Sequence, residues 1–381
     1  MNIALLGYGT VGGGVYELLK NRSDLRVKYV LDRELHPELG AASVTDFSPI
    51  LADAEVDTVV EVIGGAEPAG EYVASAMRAG KNVVTANKLL VAERYQELLT
   101  LSREKGIGFR CTAAVGGGIP WLTALERAKR TGEITEVCGI MNGTTNYILD
   151  TMHKRGYSFD SVLRDAQELG YAEADPSADI DGLDIRRKLM LSANIAFDTC
   201  LREEQVPAVG IRSIRQEDIA GFNEAGYVCK LYATARRMPD NAVMAVVEPT
   251  LFPVGSMEAS VPDNFNLITM VSEYAGRQSF FGQGAGRWPT ANAVVQDLID
   301  LCEAPRGFYT AASAPMDSNN LCAERRYYVR YTVDTWFMDG CVEKRWGNGL
   351  LTRPVTPAQM HSWYLEARPN DPDIFFAALS C

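Results

Sequence analysis

The chain has 381 residues, 47% of them apolar, and carries 37 Lys and Arg against 49 Asp and Glu, a formal charge of −12. That length suggests two or three domains, and that apolar fraction supports a sizeable core. No run approaches the roughly 20 apolar residues of a membrane-spanning helix, and an acidic chain without a basic tract argues against membrane and nucleic-acid partners.

Residues 1–7 carry no basic segment and run straight into a strand-like stretch, so a cytoplasmic location is expected. Up to about residue 130, short apolar runs at 3–6, 27–31, 58–63, 83–85 and 107–111 alternate with helix-like stretches. Val- and Ile-rich runs of this kind read as parallel strands buried on both faces. The expected fold class is therefore α/β, with a Rossmann-type doubly wound parallel sheet over residues 1–130. From 134 the texture changes. A longer strand (134–143), helices at 145–155, 158–169 and 182–198, and antiparallel strands at 229–236, 242–249 and 265–275 suggest an α+β substrate and dimerisation domain over 131–287. A helix near 288–302 follows. Residues 311–315 read as a linker. The strand-like run 327–333 opens a small C-terminal appendage assigned to 303–381.

Gly7-Tyr8-Gly9-Thr10-Val11-Gly12 follows the first strand and opens a helix. In that setting G-x-G-x-x-G cradles a pyrophosphate: the glycines allow a tight turn and close backbone approach, and the helix N-terminus supplies partial positive charge. Asp32 lies 20 residues beyond Gly12, where a carboxylate accepts from a ribose hydroxyl and favours NAD. Arg33 follows, and an arginine there pairs with a 2′-phosphate and favours NADP. The two readings stand side by side.

Lys88, in Val84-Thr85-Ala86-Asn87-Lys88, falls just past a parallel strand, at the sheet edge that lines ligand clefts. Val115-Gly116-Gly117-Gly118-Ile119-Pro120 and Asn142-Gly143-Thr144-Thr145-Asn146 present backbone N–H and small hydroxyls suited to a carboxylate or phosphate, or serve only as turns. The segment 171–189 begins as a carboxylate-rich loop and enters a helix near Gly182. Asp184 and Lys188, four residues apart, share one face of it. Burial against a cleft would make that lysine an acid–base group; exposure would leave a surface ion pair. Three histidines (His36, His153, His361) and eight scattered cysteines show no metal-ligand spacing.

Taken in order, these segments resemble the homoserine dehydrogenase family. The matching motifs are Gly7-Tyr8-Gly9-Thr10-Val11-Gly12, Glu61-Val62-Ile63-Gly64-Gly65, Thr85-Ala86-Asn87-Lys88, Gly116-Gly117-Gly118-Ile119-Pro120 and Asn142-Gly143-Thr144-Thr145-Asn146. They continue with Leu169-Gly170-Tyr171-Ala172-Glu173, the Asp184 to Lys188 helix and Gly282-Gln283-Gly284-Ala285-Gly286-Arg287-Trp288-Pro289. Coverage is about residues 1–302.

The resemblance implies NAD(P)-dependent interconversion of L-homoserine and L-aspartate 4-semialdehyde, on the route to threonine and methionine. It implies proton transfer by Lys188, orientation of that lysine by Asp184, and Lys88 at the reacting oxygen. Substrate would be held by Glu173 (the ammonium), Gly143 and Thr144, with Asp179 supporting. Cofactor contacts would come from Gly7, Gly9, Thr10, Val11, Gly12, Asp32, Arg33, Gly64, Thr85, Lys88 and Gly286. A homodimer is implied too. Thr112 stands where many members carry a Glu that helps bind sodium, so a sodium ion would rest on the backbone of Val115 and Gly117. The tail resembles an ACT-type regulatory domain only in 327–333; Trp336-Phe337-Met338-Asp339-Gly340 replaces the turn and helix expected next. The rival readings are an oxidoreductase acting on another amino-acid aldehyde or alcohol, and a nucleotide-binding regulator without catalysis.

Overall fold

A computed structural model describes residues 1–239, 241–304, 316–333 and 340–380. The chain divides into two compact units. Unit 1 comprises Met1–Glu133, Leu191–Arg202 and Gln283–Pro315; unit 2 comprises Ile134–Met190, Glu203–Gly282 and Met316–Cys381. The expected linker at 311–315, and 336–339 of the tail, lie outside the described residues.

Unit 1 holds strands β1 (Asn2–Leu6), β2 (Arg26–Leu31), β3 (Ser43–Val44), β4 (Thr58–Glu61), β5 (Asn82–Thr85) and β6 (Phe109–Arg110). They form one sheet in the order β3-β2-β1-β4-β5-β6, every pairing parallel. This is the doubly wound arrangement expected, with β3 added at an edge that the apolar pattern did not reveal. The helices along the chain are α1 (Thr10–Leu19), α2 (Ser48–Ala52), α3 (Ala69–Arg78), α4 (Lys88–Lys105), α5 (Trp121–Ala128), α6 (Gly143–Arg155), α7 (Phe159–Glu168), α8 (Ser177–Ile180), α9 (Leu183–Phe197), α10 (Gln216–Glu224), α11 (Arg287–Glu303) and α12 (Pro357–Ala367).

Side chains alternate across a strand, so Ile3 and Leu5 of β1 share one face. There they join Val15 and Leu19 of α1 with Ala291, Val294 and Leu298 of α11 in one buried cluster. Each such Val, Leu or Ile side chain stabilises the unit by about 1.5–3 kcal/mol. The late segment α11 is thereby tied to the first strand of the chain.

Unit 2 is built on a nine-stranded sheet among the described residues. Its strands are β7 (Ile134–Ile140), β8 (Tyr227–Arg237), β9 (Val243–Pro253), β10 (Phe265–Ser272), β11 (Gly276–Gln283), β12 (Tyr327–Arg330), β13 (Val342–Trp346), β14 (Gly349–Thr352) and β15 (Phe375–Leu379). The order is β11-β10-β7-β8-β9-β15-β12-β14-β13. β8 and β9 pair antiparallel along their whole length, from Tyr227 opposite Pro253 to Arg237 opposite Val243.

Here the structure departs from the expected separate appendage at 303–381. β15 lies parallel to β9, with Ala378 opposite Thr250, and extends the same sheet. The edge of β9 would otherwise leave its backbone donors and acceptors unpaired. Tyr327, Phe376 and Ala378 bury with Val209 and Tyr364 in a common core. Two buried ion-pair groups reinforce the attachment. Arg330 of β12 donates to Asp218 of α10, and Glu248 of β9 receives Arg325 and His361.

Candidate active site

The nucleotide-binding motif lies where it was expected, at the carboxyl ends of β1 and β4. Gly7 adopts φ +100°, and a Cβ there would lie 3.0 Å from the carbonyl oxygen of Val62. A Cβ on Gly12 would come within 2.0 Å of the Gly7 carbonyl oxygen, so both positions require glycine for the turn itself. Gly9 and Gly64 differ: a Cβ on either would meet nothing within 4 Å. Gly9 is the N-cap of α1 and offers no side chain to its amides. Those amides, Thr10 and Val11 included, present the positive end of the helix to an anion. The cleft beside them has a volume of about 610 Å³ and is lined by Gly7, Gly9, Asp32, Arg33, His36 and Gly64 among others. A dinucleotide fits this donor set: open glycines, uncapped amides and a carboxylate at the end of β2.

Asp32 accepts from the amides of Tyr8 (3.0 Å) and Arg33 (2.7 Å), and from His36 Nε2 at 3.2 Å. Burial alone raises its carboxyl, but the Arg33 amide, His36 and the Tyr8 amide together hold it below the usual carboxylate range.

Glu61 ends β4 and is fully buried. Its structural role is not marked in the sequence beyond its place in the Glu61-Val62-Ile63-Gly64-Gly65 motif. Its carboxylate accepts from the Thr85 hydroxyl (2.5 Å), the Ile63 and Gly64 amides (2.8 and 3.2 Å) and Asn87 Nδ2 (3.4 Å). Burial raises its pKa, and those four donors oppose the rise. Asn87 in turn caps α4 by accepting from the Leu90 amide at 3.1 Å. Lys88 is the first residue of that helix and is half-buried. A cation at a helix N-terminus opposes the helix dipole, so helix stability does not account for it.

The Gly116-Gly117-Gly118 turn has a packing cause. A Cβ on Gly117 would lie 2.6 Å from the backbone of Gly284, and one on Gly118 would lie 2.8 Å from Pro289 Cβ. The turn thus receives the segment that contains Gly286, which caps α11 at φ +125°. Thr112 donates its amide to Asp297 at 3.0 Å. Burial pushes the Asp297 carboxyl up to about 7 and that of neighbouring Glu126 up to about 8. Among the described residues, no group of three or more His, Cys, Asp or Glu side chains gathers to hold a metal ion.

Unit 2 brings the predicted acid–base residues together. Lys188 and Asp184 are each 7% exposed, so the pair is buried rather than a surface bridge. Lys188 Nζ lies 2.8 Å from Asp184 Oδ2 and donates to the Met141 carbonyl at 2.7 Å. Asn142, which the sequence placed only in a glycine-rich turn, organises the group. Its Nδ2 donates to Asp179 (2.7 Å) and to Asp184 (2.9 Å), while its Oδ1 accepts from the Thr145 amide and caps α6. Burial, then the charge of Asp184, raises the Asp179 carboxyl, and Asn142, Lys188 and Thr144 oppose that rise. Gly143 opens α6 against the Asn264 carbonyl, 2.6 Å from where its Cβ would stand. Thr144 donates to the Tyr171 carbonyl at 2.5 Å. Glu173 is exposed on the loop before α8.

His153 is a half-buried structural histidine. Its ring contacts Asn223 at 2.7 Å and accepts from the Cys229 amide at 2.8 Å, and burial lowers its pKa to about 4.

Comparison with known proteins adds the following. The family profile "Homoserine dehydrogenase, NAD binding domain" matches residues 7–111, and "Homoserine dehydrogenase" matches residues 120–299. A homoserine dehydrogenase of Bacillus subtilis is 38% identical over 320 residues, covering 80% of this chain and 74% of its own length. One from Synechocystis is 40% identical over 319 residues, covering 79% and 73%. The crystal structure of a homoserine dehydrogenase from Thiobacillus denitrificans superposes with a TM-score of 0.87 at 32% identity, covering all of this chain and 98% of that one.

Proposed function

The chain belongs to the homoserine dehydrogenase family, NAD(P)-dependent oxidoreductases that interconvert L-homoserine and L-aspartate 4-semialdehyde, and on that premise we propose which of its residues carry the reaction. The observation that carries the assignment is the buried Lys188–Asp184 pair. When bound, the nicotinamide supplies or accepts the hydride. Lys188 gives its proton to the oxygen of the aldehyde as that oxygen becomes an alcohol, and in the reverse sense its neutral amine takes the alcohol proton. Asp184 and the Met141 carbonyl orient the amine. Asn142 holds Asp184 in place, and Asp179 supports the polar network through the same asparagine. Gly143 and Thr144 contact the substrate, Glu173 takes its ammonium group, and Lys88 assists at the reacting oxygen.

In unit 1, Gly7, Gly9, Thr10, Val11 and Gly12 hold the pyrophosphate, while Gly64, Thr85 and Gly286 complete the cofactor's surroundings. Asp32 takes the adenosine ribose, which favours NAD; Arg33 beside it offers a partner to a 2′-phosphate. A structural sodium ion would rest on the Val115 and Gly117 backbone oxygens alone, since Thr112 brings no carboxylate. A cytoplasmic homodimer in threonine and methionine synthesis completes the proposal. Homoserine oxidation measured with NAD and NADP side by side tests it. Turnover with one of them supports the reading, and absence of turnover with both overturns it.

A further inference from the structure

We infer that His36 is a specificity-determining residue: it reads the 2′ position of the adenosine ribose and makes the choice between NADP and NAD depend on pH. The inference rests on the proposed contact between Asp32 and that ribose.

A carboxylate has about four acceptor positions. Asp32 uses three of them: the Arg33 amide on Oδ1, and the Tyr8 amide and His36 Nε2 on Oδ2. One position, on Oδ1, is left for a ribose hydroxyl. The imidazole is well placed to alter that count. It lines the same cleft as Asp32, Arg33 and Glu34, and its ring lies edge-on to Tyr8 with centroids 4.7 Å apart. Its Nδ1 lies 3.6 Å from Glu38. The acids near it are therefore Asp32, Glu34 and Glu38, with Glu67 also lining the cleft. The cations are Arg33 and Arg287, the latter acting on Tyr8.

A 2′-hydroxyl needs only an acceptor, which Asp32 provides whatever the charge on His36. A 2′-phosphate brings negative charge against the Asp32 carboxylate. Protonated His36 offsets that repulsion; neutral His36 does not. Binding of the phosphorylated cofactor is therefore coupled to proton uptake at position 36, and its relative affinity falls as pH rises.

The test is fluorescence titration of the whole chain with NADH and with NADPH from about pH 6 to about pH 9. The affinity ratio of NADPH to NADH should fall about tenfold over that range in the natural chain. In His36→Gln, which still donates to Asp32 but cannot charge, the ratio should change by no more than about twofold. His36→Phe keeps the ring on Tyr8 and should show the same flat profile. The phosphate's own titration near pH 6 is common to all three, so the difference between them isolates the imidazole. Equal slopes in the natural chain and His36→Gln overturn the inference. Asp32→Ala separates the two levels: an unchanged ratio at every pH removes the ribose contact itself, whereas a changed ratio with equal His36 slopes removes only the role of His36.

Discussion

The Glu61 group in unit 1 and the Asp184 group in unit 2 are built alike and behave differently. Each has an asparagine that caps a helix with its carbonyl and donates its amide to buried carboxylate: Asn87 to Glu61, and Asn142 to both Asp179 and Asp184. Around Glu61 the donors are a hydroxyl, a side-chain amide and two backbone amides. Neutral donors of fixed direction position a loop but move no proton. Around Asp184 the partner is an ammonium, and a second carboxylate stands on the same asparagine. A buried cation shared in this way has a protonation state that its surroundings can shift. The same capping device thus serves geometry in one place and, on the proposed function, acid–base chemistry in the other.

Substitution of Lys188 puts the contrast under the greatest strain. Lys188→Ala should lower kcat by about 10³-fold and leave the dissociation constant for NAD(P)H within about twofold. A loss of activity smaller than about tenfold removes the acid–base role. Glu61→Gln should do the opposite: cofactor affinity falls about tenfold, and kcat at saturating cofactor changes by less than about threefold, because the amide turns one acceptor into a donor facing N–H groups. Equal effects on kcat and KM would erase the distinction between the two groups.

Asn142→Ala is expected to act more gently, through the pH profile. Asn142 lowers the Asp179 pKa, so its loss raises that pKa further and moves the acid limb of kcat to higher pH. A profile that only drops in height would reduce Asn142 to a helix cap.

The smallest effect concerns stability. Glu126 and Asp297 have folded-state pKa values raised by burial to about 8 and about 7. A carboxyl raised on folding contributes stability that is complete below its unfolded pKa and is lost as pH rises through the folded value. Tm should therefore fall by roughly 5 °C between about pH 6.5 and about pH 8.5, with less of a fall in Glu126→Gln. His153 has the opposite sign and loses stability as pH drops from about 6.5 towards its folded value of about 4, so it leaves this window undisturbed. A rising Tm across the window would place charged carboxylates at both positions.

Much of the fold was legible because parallel strands buried on both faces are continuous apolar runs, as in 3–6 and 58–63. Two edge strands, β3 and β11, were not. β3 has two residues, and in β11 Arg277 and Gln278 are exposed, so neither shows that pattern. The tail was read as an appendage because nothing in 327–379 announces a partner. The pairing of β15 with β9 is a contact across more than a hundred residues.

The local chemistry of this chain is written in short words. Gly7 and Gly12 must be glycine because a Cβ would strike the turn they make, and Asp184 and Lys188 share a face because a helix repeats every 3.6 residues. Whether that lysine is buried and which asparagine holds its carboxylate were decided only by tertiary structure. Burial and hydrogen-bond direction depend on distant segments meeting, and residue spacing carries no record of that.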